Sequence, residues 1–465
     1  MHRDYSLPKV EGEQLRVAAG WLTVAVGFLL ASGVYPLLLA LARTTYDMPW
    51  KDSFSFYTML VLHVDFTVLW WLLAIAGVFW TLSSNGRGLV WSKLAMLLVV
   101  LGGVFAGIAP LLADANPLTN NYVPMLENNS YFRNGLLLFG FGILLLTLRG
   151  LIAVSFRDVF RPDETGAVQF GVWSAALAGL VAIIVLIWAF LVMPEGLEGR
   201  AYYELLFWAG GHILQFTHTA LLLVCWLWLA SICGAKIPGG PKLVMGLFMI
   251  GVLCVLIAPW PFLTLELSDP AFTTWYVWLM RDGNGVAPFF IGLMVFWGLL
   301  YAERPTERNH HLYMSLLFSI GLFAVGGVLG LFIGESSTLI TAHYHGSIVA
   351  VTMAFMAMTY YWLPQFGYAS PNLKWAKIQV YTYAIGQFAH IVGLAWGGGH
   401  GMKRKVVGTT QDIGDIGFAF ITPQNLVGIG GAVAVLSGLL FAIVVLPAII
   451  RGRSDNTSVA GGSEV

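Results

Sequence analysis

Long apolar stretches, separated by short polar segments, follow one another along the whole chain. Each is about 20 residues or longer, the length that an α-helix needs to cross the hydrocarbon core of a bilayer. The pattern therefore predicts an all-α membrane protein with about twelve transmembrane helices. The stretches lie at approximately 18–42, 56–83, 91–112, 134–156, 170–193, 202–233, 241–266, 272–302, 313–334, 336–363, 375–398 and 424–450.

Composition agrees with a chain that lies in the bilayer. Hydrophobic residues make up 58% of the 465 residues and charged residues 10%, and the mean hydropathy is +0.77. The net charge is zero, so no nucleic-acid partner is indicated. We expect a cytoplasmic N-terminal segment over 1–17, a twelve-helix haem-binding membrane domain over 18–450 and a cytoplasmic tail over 451–465.

The distribution of positive charge predicts the orientation of the chain. If the N-terminus is cytoplasmic, the inner segments contain sixteen of the 24 Lys and Arg residues and the outer segments contain seven. Short loops rich in Lys and Arg stay on the cytoplasmic side of a membrane. We therefore expect both termini in the cytoplasm, in an integral multi-pass protein of a prokaryotic inner or plasma membrane.

Histidines inside the predicted spans form a layer nearer the outer face. His343 and His345 lie two residues apart on one predicted helix, so their rings point roughly 200° apart and can serve two cofactors. His63 and His212 lie at a similar depth in other spans, and His390 falls close to the same layer. Ionisable groups inside a membrane are usually functional, and neutral imidazole binds haem iron. The layer predicts axial ligands of haem.

Five stretches carry a family resemblance. In chain order they are YTMLVLHVDFTVLWW, LLFWAGGHILQFTH, VAPFFIGLMVFWGLL, ESSTLITAHYHGSIVAVTMAFMAMTYYWLP and IVGLAWGGGHGMKRK. They resemble helices II, VI, VIII, X and XI of the catalytic subunit I of haem-copper oxidases, particularly the B-type branch. The resemblance covers essentially the whole chain and implies a subunit I-like bundle that binds two haems.

The resemblance also implies a role for each haem ligand. His63 and His345 would be the two axial ligands of a low-spin haem that accepts electrons. His343 would be the proximal ligand of a five-coordinate, high-spin haem whose open face binds the substrate. The opposed directions of the two rings on helix X agree with this division.

Three further positions follow from the same resemblance. His212 would be the helix VI ligand of a second active-site metal. Arg404 and Lys405, just after helix XI, would pair with haem propionates at the outer surface.

The chain departs from the family at the second metal. The family carries a His-His pair at the end of helix VII, where this chain has Leu263 and Thr264. The usual three-histidine copper site therefore cannot form, and His212 alone would not hold copper. Oxygen reductases also carry a tyrosine four residues after the helix VI histidine, and nitric oxide reductases a glutamate near it. Here those positions are Phe216 and Gln215.

Two interpretations of this region are possible. In the first, His212 and a carboxylate from Glu266 or Asp282 form a rearranged iron or copper site. In the second, an Arg281-Asp282 pair replaces the positive charge of the metal and leaves a metal-free pocket. Both readings expect these residues to face one buried cavity.

The resemblance implies a respiratory enzyme, in which electrons pass through the low-spin haem to the high-spin haem and reduce a small diatomic oxidant. We favour NO over O2, because four-electron reduction of O2 usually draws on the missing tyrosine. A cytochrome c oxidase-like O2 reductase and a non-catalytic subunit that transfers electrons or senses a gas remain alternatives. A twelve-helix transporter is disfavoured by the common depth of the histidines.

An electron donor must come from another subunit. The chain contains no CxxCH haem-attachment motif and no dicopper motif. We therefore expect a cytochrome c-type or cupredoxin-like domain on the outer face to deliver electrons.

Overall fold

The computed structural model describes residues 4–42, 55–334, 337–404 and 421–452. Helices account for most of these residues, and a two-stranded antiparallel hairpin, β1 (Pro117–Leu118) and β2 (Met125–Leu126), lies between two of them. The helices are α1 (Gly12–Ala42), α2 (Phe56–Asp65), α3 (Leu72–Leu82), α4 (Leu89–Leu112), α5 (Ser130–Ile152), α6 (Phe156–Val159), α7 (Glu164–Leu191), α8 (Gly199–Ile232), α9 (Gly240–Ile257), α10 (Pro261–Thr264), α11 (Pro270–Trp278), α12 (Val286–Leu300), α13 (His310–Gly330), α14 (Thr338–Gln365), α15 (Leu373–Gly399) and α16 (Pro423–Ile450).

The number of candidate spans is close to the twelve that the hydrophobic pattern predicts. Within the described ranges, eleven helical segments are long and apolar enough to span a bilayer, and α15, with 27 residues, is the twelfth long helix. A π-helical segment, Phe66–Trp71, joins α2 and α3 into one crossing, and another, Leu279–Asn284, joins α11 and α12.

The central helices of the bundle are α8 and α14. In each of them, 83% of an apolar 18-residue stretch is buried inside the protein, a larger share than in the other candidate spans of the described chain. These two helices carry His212, His343 and His345. The candidate ligands therefore lie on the innermost elements of the fold.

Glycines bring α13 and α14 into close contact beside the histidines. A Cβ added at Gly326 would lie 2.6 Å from the backbone nitrogen of Ser347, and one added at Gly346 would lie 2.4 Å from the Cα of Gly326. Only glycine lets the two backbones approach this closely, as is common where membrane helices pack. The carbonyl groups of α13 therefore come within reach of side chains on α14.

Candidate haem site and the His212 pocket

The two histidines of α14 point to different neighbouring helices. His343 Nδ1 lies 2.7 Å from the carbonyl oxygen of Gly326 on α13. The ring of His345 instead lies against the ring of His390 on α15, with 4.7 Å between their centroids. The HYH sequence therefore presents its two imidazoles to different neighbouring helices.

The surroundings of His343 leave one ring nitrogen for a ligand. Because the carbonyl of Gly326 accepts the Nδ1–H, the lone pair of the ring is on Nε2. A Cβ at Gly330 would lie 2.7 Å from His343 Nδ1, so that glycine also makes room for the ring. Histidines that bind metal in proteins usually have this arrangement, in which the second nitrogen donates to a carbonyl.

Three imidazoles converge on the other side of α14. His63 Nδ1 lies 3.0 Å from the carbonyl oxygen of Ser32, and His390 Nδ1 lies 2.8 Å from that of Val427. His63 and His390 are both close enough to His345 to interact with it electrostatically. The structure therefore groups His63, His345 and His390 on this side of α14.

His345 has an unsatisfied donor, and Gln387 has an unsatisfied acceptor. His345 Nδ1 and Gln387 Oε1 are both buried, and neither has a hydrogen-bond partner among the described residues. The two side chains are close enough to interact. Gln387 lies one turn before His390 on α15. The Gln387 amide is therefore a candidate hydrogen-bond partner for the His345 ring.

The outer loop after α15 is tied to the start of α14. The backbone N–H of Thr338 donates to the carbonyl of Met402 at 2.9 Å. The backbones of Ser337 and Lys403 form an isolated antiparallel β-bridge. This connection brings the half-buried Arg404 close to Tyr344, the residue between the two histidines. Burial lowers the pKa of Arg404 below its ordinary value.

Arg404 is therefore in position to meet an anionic group at the outer end of the haem site. Lys405, the second residue of the predicted basic pair, lies outside the described residues.

His212 is enclosed by aromatic rings and hydrogen-bonded on both sides. Its Nδ1 lies 2.7 Å from the carbonyl oxygen of Trp208, and the hydroxyl of Tyr122 lies 2.9 Å from both ring nitrogens. The ring centroids of Tyr122 and Trp208 lie 4.9 Å from that of His212, and that of Tyr276 lies 6.0 Å away. With Nδ1–H bonded to Trp208, the Tyr122 hydroxyl donates to Nε2.

Tyr122 reaches this position from the loop between α4 and α5. The side-chain oxygen of Asn120 accepts the backbone N–H groups of Tyr122 at 2.9 Å and Val123 at 2.8 Å, which fixes the turn of the hairpin. A Cβ at Gly211 would lie 2.2 Å from Tyr122 Cγ, so the glycine provides the groove for the ring. Burial, together with the Glu204 carboxylate, raises the pKa of Tyr122 well above its ordinary value. The phenol is therefore a neutral hydrogen-bond donor.

The expected carboxylate and arginine cluster around His212 does not form. Arg281 and Asp282 make a bidentate pair at 2.7 and 2.8 Å, but their side chains are 50% and 61% exposed, and Glu266 is also exposed. The expectation that these residues face one cavity with His212 is wrong. Asn284 of the same π-helical segment is buried instead, and its amide donates to the Thr219 hydroxyl at 2.9 Å.

The described residues do not fit a second metal beside His212. They contain no group of three or more His, Cys, Asp or Glu side chains that could hold a metal ion. Leu263 is 66% exposed, and the Thr264 hydroxyl donates to the carbonyl of Trp260 in its own helix turn.

Comparison with known proteins places these features in a family. The family model for cytochrome c and quinol oxidase polypeptide I matches residues 16–434. An uncharacterized protein of Rickettsia prowazekii (strain Madrid E) is 27% identical over 504 residues, covering 92% of this chain and 95% of the relative. Another, from Aquifex aeolicus (strain VF5), is 26% identical and covers 77% of this chain and 87% of the relative.

Two further matches carry names that refer to terminal oxidases. The cytochrome bo(3) ubiquinol oxidase subunit 1 of Buchnera aphidicola subsp. Schizaphis graminum is 28% identical over 225 residues, which are 43% of this chain and 32% of that protein. A cryo-EM structure of a heme-copper terminal oxidase dimer matches the fold with a TM-score of 0.69 and 15% identity, over 98% of this chain and 86% of that chain. The chain is an integral multi-pass protein of a bacterial plasma membrane and belongs to the cytochrome c and quinol oxidase polypeptide I family.

Proposed function

We propose that this chain is the haem-binding subunit of a respiratory enzyme that reduces NO in preference to O2. Membership of the family supports a respiratory oxidase-like function and haem binding. One observation carries the proposal: the His343 ring contacts α13, whereas the His345 ring contacts α15. One helix would then serve two haems of different coordination.

Each residue near His343 and His345 has a defined role in this proposal. His63 and His345 would hold the two axial positions of a low-spin haem, and His343 would hold one axial position of a second haem. Arg404 would bind a propionate at the outer end. Bound haem supplies electron transfer and, where one axial position is open, a binding position for a diatomic gas.

The substitutions around His212 favour NO as the substrate. Two molecules of NO, two electrons and two protons give N2O and water, whereas one O2 needs four electrons and four protons. Phe216 stands where oxygen reductases carry a tyrosine, and Leu263 and Thr264 stand where they carry two copper ligands. A site with fewer redox-active groups is better suited to the reaction with the smaller electron demand.

One observation favours O2 reduction as a second candidate function. The hydroxyl of Tyr122 lies 2.9 Å from His212, so a phenol contacts this histidine although α8 itself does not supply one. A tyrosine at this histidine could take the place of the one missing from α8. If so, Tyr122→Phe would abolish O2 consumption and spare NO consumption.

We further propose that the electron donor docks on the outer face as a cytochrome c-type or cupredoxin-like domain of another subunit. The loop that carries Arg404 is attached to the outer start of α14, close to both candidate haem ligands. A donor that binds there would have the shortest path to the haem at His345. Removal of the donor subunit is expected to stop turnover and leave the haem spectrum of this chain unchanged.

Turnover by the purified, intact complex tests the proposal. NO and O2 consumption are measured with electrodes while reduced cytochrome c or an artificial one-electron donor supplies electrons. We expect N2O formation from NO at a rate well above the rate of O2 consumption. O2 consumption without N2O formation would support the oxidase alternative. CO binding by the reduced protein without turnover of either gas would support the non-catalytic alternative.

A further inference from the structure

We propose that the position beside His212, where the family places a second metal, holds no metal in this chain, and that the Tyr122 phenol is the partner of His212 instead. Tyr122 then acts as a positioning residue for His212. The inference depends on the contacts of His212 and does not depend on which gas the protein reduces.

Both nitrogens of His212 already have partners. The Trp208 carbonyl accepts the Nδ1–H at 2.7 Å, and the Tyr122 hydroxyl lies 2.9 Å from both ring nitrogens. A transition metal binds an imidazole nitrogen at about 2.0–2.1 Å. A metal on Nε2 would therefore have to share a pocket that the phenol already occupies.

The described residues contain no group of three or more His, Cys, Asp or Glu side chains that could hold a metal ion after loss of the phenol. Leu263 cannot ligate, and Leu263, Thr264 and Glu266 all have exposed side chains. A single imidazole holds copper or iron weakly, because these ions need several ligands at once. Displacement of Tyr122 would therefore break a buried hydrogen bond without forming a stable metal site.

The phenol is held in place by features of two separate segments. Asn120 fixes the turn that carries Tyr122, and Asn121 donates a hydrogen bond to Glu204 on α8. On the helix, Gly211 leaves the space that the ring fills. A loop that is fixed on both sides of the tyrosine is expected to keep the phenol on His212 in the working protein.

The arrangement changes the electrostatics of the pocket. A metal at this position would add positive charge beside the open haem face. A neutral phenol that donates to a neutral imidazole adds none and fixes the tautomer, with the proton on Nδ1. The pocket would then present a fixed hydrogen-bonded pair in place of a metal ion.

Metal content and the hydrogen bond itself are measured on the intact complex purified with its haem. Iron, copper and zinc are quantified against haem before and after incubation with Cu²⁺ or Fe²⁺. The C–O stretching band of the Tyr122 phenol is followed by infrared spectroscopy after isotope labelling of tyrosine. The variants are Tyr122→Phe, which keeps the ring, and Gly211→Ala, which removes the space for it. Gly246→Ala is the control, because a Cβ there meets nothing within 4 Å.

The wild-type protein is expected to contain iron equal to its haem content and no further stoichiometric metal. The phenol band should disappear in Tyr122→Phe, shift in Gly211→Ala and remain in Gly246→Ala. One additional metal per chain that is lost in His212→Ala would overturn the inference, as would a phenol band that Gly211→Ala leaves in place. Neither readout requires turnover, so failure here is distinct from failure of the proposed NO reduction.

Discussion

The contact between α13 and α14 at Gly326 offers a direct test of how His343 is held. In the variant Gly326→Ala, the new methyl group would lie 2.6 Å from the Ser347 nitrogen and 2.8 Å from the Gly346 carbonyl carbon. Ordinary contacts need about 3.5–4.0 Å, so α13 must move away from α14 by roughly 1 Å. The bond from His343 Nδ1 to the Gly326 carbonyl, now 2.7 Å, would then exceed hydrogen-bond length.

The expected energetic effect is moderate and the expected effect on haem is larger. Overpacking costs about 1–3 kcal/mol and loss of one hydrogen bond about 1 kcal/mol, against a gain of about 0.5–1 kcal/mol for alanine in a helix. The free energy of unfolding should therefore fall by about 1–3 kcal/mol. Because His343 loses its orienting partner, binding of the haem that it ligates should weaken by about 10–100-fold.

The assay combines a haem stoichiometry with a CO difference spectrum of the reduced complex and a thermal unfolding curve. Gly327→Ala is a matched control, since it lies next along α13 and its Cβ would meet nothing within 4 Å. We expect the control to keep the CO-binding haem and its stability. Full CO binding and unchanged stability in Gly326→Ala would refute the role assigned to this helix contact.

Three further predictions follow from other contacts. Gln387→Leu should shift the midpoint potential of the low-spin haem and leave CO binding unchanged, because His345 would lose the amide that interacts with its ring. An unchanged potential in a redox titration would argue against this role. Arg281→Ala and Asp282→Ala should each lower the yield of folded complex more than the double variant does, because each single change leaves one unpaired charge in a membrane span; equal yields would contradict this. Arg404→Leu should lower haem retention in a pyridine haemochrome assay, and Arg404→Lys should restore part of it, whereas equal loss in both would point to a different role.

The sequence predicts the bundle and the different directions of His343 and His345 because these depend on local signals. Apolar length defines each crossing, and the two-residue spacing of His343 and His345 fixes their opposed directions on any regular helix. The convergence of His63 with His345 followed from the family resemblance and from a common depth. The structure adds His390 and Gln387, which lie on a helix that periodicity alone cannot orient.

The His212 pocket was harder to predict, for two physical reasons. Tyr122 lies in a connecting loop, 90 residues before His212 in the sequence. Only the folded hairpin brings its phenol to the histidine. The local sequence indicates the contact only through Gly211, which leaves a groove beside the histidine for an aromatic ring. The error at Arg281 and Asp282 has a different origin. The apolar length of a span does not show which of its faces is buried, and here Asn284 is buried while the pair lies on an exposed face.

The haem spectra of His343→Ala and His345→Ala, compared in the same purified complex, test the central claim most directly. We predict that His343→Ala loses CO binding and keeps the low-spin spectrum, and that His345→Ala loses the low-spin spectrum and keeps CO binding. Loss of both features in both variants, or of neither, would contradict the claim that one helix serves two haems.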